Sequence, residues 1–134
     1  MKVEPYLTFN GDCEAAFRFY EKHLGGRIEM MMKFGESPMA NQMPSELLDK
    51  VIHVRMTIGD EVLMASDAPP DRYEKPQGFS VSLSVTDPAE ARRLFDGLAQ
   101  NGTIQMPLQK TFWAVLFGMC VDRFGTPWMV NCGE

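Results

Sequence analysis

The chain predicts an α+β fold built from two tandem strand–helix–three-strand modules. Three observations carry that prediction. Two apolar stripes of helical spacing each follow one short strand-like run. The exits of those two helices match position by position: Gly25-Gly26-Arg27-Ile28-Glu29-Met30 after the first, Asn101-Gly102-Thr103-Ile104-Gln105-Met106 after the second. The remaining strands come as hairpins, which argues against a doubly wound parallel sheet. Such self-similarity marks an internal repeat. Two unrelated α+β halves are the alternative, and the matched exits weigh against it.

Each element has a local reason. Residues 5–9 (PYLTF) read as a short strand, and Asn10-Gly11-Asp12 turns it into a helix, with Asn10 or Asp12 as the expected cap. Cys13, Ala16, Phe17, Tyr20 and Leu24 form the helix's apolar stripe, and Gly25-Gly26 ends it. Residues 27–34 read as a strand. Residues 35–50 form a long connection with a helical turn expected at Ser45-Glu46-Leu47-Leu48, and long connections are often binding loops. Residues 51–58 and 62–66 read as a hairpin about Gly59-Asp60. The stretch DAPPDRYEKPQG, rich in proline and charge, is the expected boundary, with modules over 1–67 and 79–134 and a linker over 68–78.

The pattern then restarts. Residues 79–85 (FSVSLSV) alternate as a half-exposed strand does. Asp87 and Pro88 open a helix whose stripe is Ala91, Leu94, Phe95 and Leu98. Strands are expected over 111–121 and 127–132, around an Asp122-Arg123-Phe124-Gly125-Thr126 turn.

Composition excludes several classes. Of 134 residues 45% are hydrophobic, enough for a packed core. A net charge of −5, with Arg92-Arg93 the only adjacent basic pair, argues against nucleic acid as a partner. No apolar run approaches the length of a membrane span, so no membrane partner is expected. Charge and proline close to Met1 do not fit a secretory signal, so a cytoplasmic protein is expected. Cys13, Cys120 and Cys132 have no C-x-x-C spacing and read as reduced, buried thiols, with a Cys120–Cys132 bridge as the minor alternative. There is no G-x-S-x-G elbow, P-loop or G-x-G-x-x-G fingerprint.

The doubled unit resembles the vicinal oxygen chelate superfamily, which includes glyoxalase I, bleomycin-binding resistance proteins and extradiol dioxygenases. Within it the chain resembles the PhnB-like branch. The stretches that carry the likeness are PYLTFNG near the start, IHVRMTIGDEVLMASD at 52–67, and QKTFWAVLFGMCVDRFGTPWMVN from Gln109. The resemblance implies sheets curved around a cavity, commonly within a homodimer, and an unidentified small molecule as partner.

It also raises a metal question. Metal-using members draw ligands, usually His and Glu or Gln, from the first and last strand of each module. Here those strands offer Tyr6 and Thr8; Met64, Ala65 and Ser66; Ser80, Ser82 and Ser84; and Trp128, Met129, Val130 and Asn131. Met129 falls where the final Glu is expected. None is a strong ligand for a hard cation, so no catalytic metal and no cofactor are expected.

Several residues remain as site candidates. His53 can pass protons near neutral pH, though a packed, hydrogen-bonded histidine at a strand start is the commoner case. Asp67 can serve as a base, but a cap on the Ala68-Pro69-Pro70 turn is the expected role. Asp122 and Gly125 read as turn chemistry. Strand alternation sends Trp113, Val115 and Phe117 to one face and Phe112, Ala114 and Leu116 to the other, and either face can line a pocket. Trp128 reads as core. Met30-Met31-Met32 project to both faces of their strand and read as packing rather than copper ligands. A ligand set of Trp113, Phe117, Met129, Tyr6 and Ser80 follows, with His53 or Asp67 as acid–base residues if the protein is an enzyme.

Overall fold

Alternation in Tyr6–Phe9 (β1) buries Leu7 and Phe9 and leaves Tyr6 exposed in the computed structural model, which describes residues 1–133. The chain turns into a helix, Cys13–Leu24 (α1), whose buried residues are the five of the apolar stripe. Gly25 ends it at φ 69, a conformation costly to residues with a Cβ. Three strands complete the sheet: Arg27–Lys33 (β2), Val51–Ile58 (β3) and Glu61–Asp67 (β4). Their order is β1-β4-β3-β2, with β1 parallel to β4 and the other pairs antiparallel. The long connection before β3 holds three short 3-10 turns, the last at Ser45–Leu47.

The second sheet has the same plan. Val81–Val85 (β5) leads to the helix Pro88–Ala99 (α2), then to Thr103–Gln109 (β6), Leu116–Val121 (β7) and Pro127–Cys132 (β8). The order is β5-β8-β7-β6, again with the first and last strands parallel. Asp87 caps α2 by accepting from the Ala89 amide at 3.1 Å, with proline in the first turn. Asn101, rather than a glycine, takes the left-handed position after this helix, at φ 58.

The chain divides into two compact units, Met1–Glu74 and Lys75–Glu134, and the break lies within the proline-rich stretch. In each, a helix packs on one face of its sheet. The first core joins Phe9, Phe17 and Tyr20, with ring centroids 5.5 to 6.5 Å apart, to Val54, Met56, Leu63 and Ala65. Burying each of the larger aliphatic and aromatic side chains stabilises the fold by about 1.5–3 kcal/mol. The second core sets Leu94, Phe95 and Leu98 over Cys120, Trp128, Val130 and Cys132.

Four expectations need correction. The strand expected over 111–121 begins only at Leu116. Residues 111–115 are a loop, in which Thr111 Oγ1 accepts from the Ala114 amide. Their aromatic content imitated a strand, but local bonds between Thr111 and Ala114 turn the backbone there, and only the Val115 amide reaches Cys132 of β8. Trp113 and Phe112 are therefore not strand residues, and the alternation that sorted them between faces does not apply to them. The strand expected from Phe79 begins at Val81, so Ser80 precedes it. Asp12 occupies the cap position of α1 without a side-chain cap bond, and a residue remote in sequence takes that duty. The Cys120–Cys132 bridge fails on register: Cys120 lies opposite Trp128 and Cys132 opposite Leu116, and all three thiols are free and buried.

Candidate functional site

The face of each sheet turned away from its helix carries several of the candidate site residues. On β3 the burial pattern sends Val54 and Met56 to the helix side and leaves His53, Arg55 and Thr57 half-buried on the other. Where Met32 and Lys33 of β2 face His53 and Val51, β3 holds one extra residue, Ile52, which lets Val51 stay buried despite its spacing from His53. Tyr6, Thr8, Met64 and Ser66 occupy the same open face from β1 and β4, in the pairs Tyr6–Met64 and Thr8–Ser66. Met30 and Met32 lie opposite Arg55 and His53 on β2.

Tyr6 and His53 form the best-defined polar contact on this face. The phenol oxygen lies 3.0 Å from His53 Nδ1. The two rings stack with centroids 5.7 Å apart and planes inclined by 22°. The contact fixes the imidazole and leaves Nε2 outside the bond. Two of the predicted site residues, 47 positions apart in sequence, are thus brought together.

Asp67 is not available in the same way, and its expected role as cap of the Ala68-Pro69-Pro70 turn is corrected. It is buried. Oδ1 accepts from the Gly11 and Cys13 amides at 2.9 and 3.0 Å, and Oδ2 from the Val51 amide at 2.9 Å. One carboxylate thereby closes the start of α1 and the start of β3 onto the end of β4. Sequence reasoning missed this because the partners are 16 to 56 residues away. Burial, with the adjacent Asp67 charge, holds the Cys13 thiol well above its ordinary range.

In the second unit the open face carries Phe117, Met119 and Val121 from β7 and Met129 and Asn131 from β8. Gly118 shows the opposite side: a Cβ there would stand 2.7 Å from Phe95 Cε1 of α2. A cleft of about 690 Å³ opens on this face, lined by Met119, Met129, Val121, Gln105 and Ser80, with Lys75 at its start in sequence. Ser80 and Met129 are therefore neighbours in one cleft, while Trp113 and Phe117 are not among its lining residues. Trp113 stacks edge-on with Phe117 at 5.3 Å and with the exposed Phe112 at 4.7 Å. Trp128 is buried and donates from Nε1 to Asp122 Oδ2 at 2.8 Å. The other oxygen of Asp122 accepts from the Phe124 and Thr126 amides, and Gly125 takes φ 95. Asp122 is thus the organiser of the β7–β8 turn.

The strands that hold metal ligands in metal-using members of the resembled superfamily can be tested for fit. On the open faces they present a phenol, hydroxyls, thioethers and the Asn131 amide, all neutral. Among the described residues no three His, Cys, Asp or Glu side chains converge to hold a metal ion. This donor set does not fit a hard divalent cation, which draws on carboxylate or imidazole.

A tandem pair of four-stranded sheets, each with one helix and one open face, is the architecture of glyoxalase-like proteins. The chain belongs to the Glyoxalase/Bleomycin resistance protein/Dioxygenase superfamily, whose family model matches residues 2–130. It is 37% identical over 139 residues to Protein YjdN of Escherichia coli K12, covering 98% of this chain and 95% of that one. Among solved structures it resembles protein PA1353 from Pseudomonas aeruginosa, at 51% identity and TM-score 0.91, with 99% of this chain and 98% of that one covered. A PhnB protein from Bacillus cereus, 24% identical, shares the fold at TM-score 0.82 over 99% of this chain and all of its own.

Proposed function

We propose that the chain is a small-molecule-binding protein that works without a catalytic metal, with its ligand in the cleft of the second unit. The observation that carries this reading is the cleft itself. Its volume of about 690 Å³ lies within the roughly 300–1,000 Å³ of ordinary ligand pockets. Thioethers at Met119 and Met129 offer adaptable apolar walls, and Ser80, Gln105 and Thr103 offer a few polar contacts. That mixture suits a ligand of moderate size and mixed polarity. The neutral donor set favours binding over metal-driven chemistry. A homodimer in the cytoplasm is part of the proposal, supported by the resemblance and by three free thiols, which fit a reducing compartment. No described helix is long and apolar enough to cross a membrane.

Thermal-shift screening tests the reading. A true ligand at a hundred times its Kd should stabilise the protein by about 2.7 kcal/mol. Met129→Trp, which fills the cleft, should abolish the shift. If no compound class stabilises the wild type, the reading loses its basis.

The Tyr6–His53 contact favours a second reading, a metal-independent lyase- or isomerase-like enzyme. A base oriented by a hydrogen-bonded neighbour is a common catalytic arrangement. Asp67 has no such claim, because its oxygens hold three amides. On this reading His53→Ala removes turnover while the melting temperature stays near that of the wild type. Retained turnover in that variant would dismiss it.

A further inference from the structure

We propose that Asn101 is a site of spontaneous modification, where the chain deamidates through a succinimide and acquires a β-linked aspartate that loosens the second unit. The proposal concerns the turn after α2 and does not rest on the cleft reading.

The sequence holds two Asn-Gly pairs, Asn10-Gly11 and Asn101-Gly102. Such a pair is reactive because glycine, without a Cβ, leaves its own backbone nitrogen unhindered. That nitrogen, once it gives up its proton, attacks the side-chain carbonyl carbon of the asparagine. A new N–Cγ bond closes the succinimide ring, and the Cγ–Nδ2 bond breaks to release ammonia. Water then opens the ring at either carbonyl. One product is ordinary aspartate. The other routes the main chain through the side-chain methylene. The step needs water and no oxidant.

The structure separates the two pairs. Both asparagines are exposed, and neither makes a side-chain hydrogen bond among the described residues. Their glycine nitrogens differ. Gly11 N donates to Asp67 Oδ1 at 2.9 Å, and Asp67 is buried. Loss of the proton there would set a nitrogen anion against a carboxylate. The Lys50 ammonium also lies near this glycine, 3.7 Å from where a Cβ would stand, but the carboxylate is the group on the amide itself. Gly102 N donates instead to a neutral acceptor, the Ala99 carbonyl, at 2.9 Å. Ala99 ends α2, and helix ends open locally at little cost. Arg123 Nε donates to Gln100 O at 3.3 Å, so the charge brought to this turn is positive and favours loss of an amide proton.

The same turn has no slack for the β-linked product. Asn101 holds the left-handed position at φ 58. A Cβ on Gly102 would overlap the Val121 carbonyl oxygen and stand 3.0 Å from Asp122 Cα. Thr103, the next residue, pairs with Val121 at the start of the β6–β7 ladder. An extra main-chain methylene between residues 101 and 102 must therefore push Gly102 into β7 or open that first pair. Asp122, which organises the β7–β8 turn, stands directly beside it. Ordinary aspartate leaves the backbone length unchanged, so only the β-linked form carries this cost.

The test is tryptic mapping of the full chain after ageing at about pH 8 with the thiols kept reduced. Cleavage after Lys2, Arg18, Arg93 and Lys110 puts the two asparagines in separate peptides. In the native chain Asn101 should deamidate about tenfold faster than Asn10 or more, because a hydrogen bond to a charged acceptor is roughly twice as strong as a neutral one. In urea the two rates should come within about twofold, since neither nitrogen is then held. Aged wild type should develop a lower-melting component that grows with the β-linked fraction. Asn101→Gly should age without it. That substitution is tolerated by the backbone, since Gly25 holds the matching place of the first repeat at φ 69. Asn101→Asp should melt much closer to fresh wild type than the β-linked chain does. The proposal is overturned if native Asn101 deamidates no faster than Asn10, if the native ratio persists in urea, or if the β-linked chain melts as fresh chain does.

Discussion

Single side chains at key points of this molecule do the work of several backbone groups. Asp67 is the clearest case, since its two oxygens satisfy three amides from two segments remote from it in sequence. A buried amide left without its acceptor costs about 1–3 kcal/mol. Asp67→Ala is therefore expected to lose at least about 3 kcal/mol in urea denaturation, or to leave the protein unfolded. A loss below about 1 kcal/mol would show that water replaces the carboxylate without penalty. The residue was visible in the sequence as a polar group at the end of a strand. Its partners were not, because Gly11, Cys13 and Val51 meet only when β1, α1 and β3 have all been placed. The same holds for Tyr6 and His53, each legible as a candidate alone and as a pair only after β1 had joined β4 beside β3.

At the scale of elements, apolar periodicity was the reliable signal. Both helices bury the stripes that their spacing marked, because a helix repeats its face every three to four residues whatever lies beyond it. Strand starts were less legible. Phe79 and the 111–115 run share the composition of strands, yet Phe79 and Phe112 are exposed and neither segment lies within a strand. Pairing partners decide where a strand begins, and sequence does not display them. Gly118 illustrates how closely the second helix seats on its sheet. A methyl group there would fall 2.7 Å from Phe95 Cε1 and 3.0 Å from the Leu108 Cα. Gly118→Ala should lower stability by about 1–3 kcal/mol, the usual cost of overpacking. Phe95→Leu combined with it should recover part of that loss if the ring is the obstacle, and a simple sum of the two losses would refute the assignment.

For the molecule as a whole, the buried thiols make stability depend on alkaline pH. Burial first, then the Asp122 charge, pushes the Cys120 thiol from 9.0 up to about 11, and Cys13 is raised for the same leading reason. A thiol whose value is raised in the fold stays protonated there while the unfolded chain ionises. Its contribution is fully present below about pH 8, and it declines from pH 9 toward the folded value at about 1.4 kcal/mol per pH unit. Thermal melts between pH 8 and pH 11 should show this decline, and Cys120→Ala should flatten part of it. An identical slope in the variant would place the effect on other groups. Below pH 8 the same thiols should resist alkylation in the native state and react once urea unfolds the chain.

The sequence by itself determined the α+β class, the two helices with their buried faces, the hairpin at Gly59 and the likeness to glyoxalase-like proteins. These rest on local periodicity, turn chemistry and motifs contiguous in the chain. It also showed that the usual metal-bearing strands carry hydroxyls and thioethers, since residue types need no coordinates. Only the tertiary structure decided that Asp67 is a backbone clamp, that Trp113 sits in a loop, that Ser80 and Met129 share one cleft, and that Tyr6 meets His53. Each of these depends on which strands become neighbours, and in what register. That choice is made by the packing of whole sheets against their helices, so no short stretch of sequence contains it.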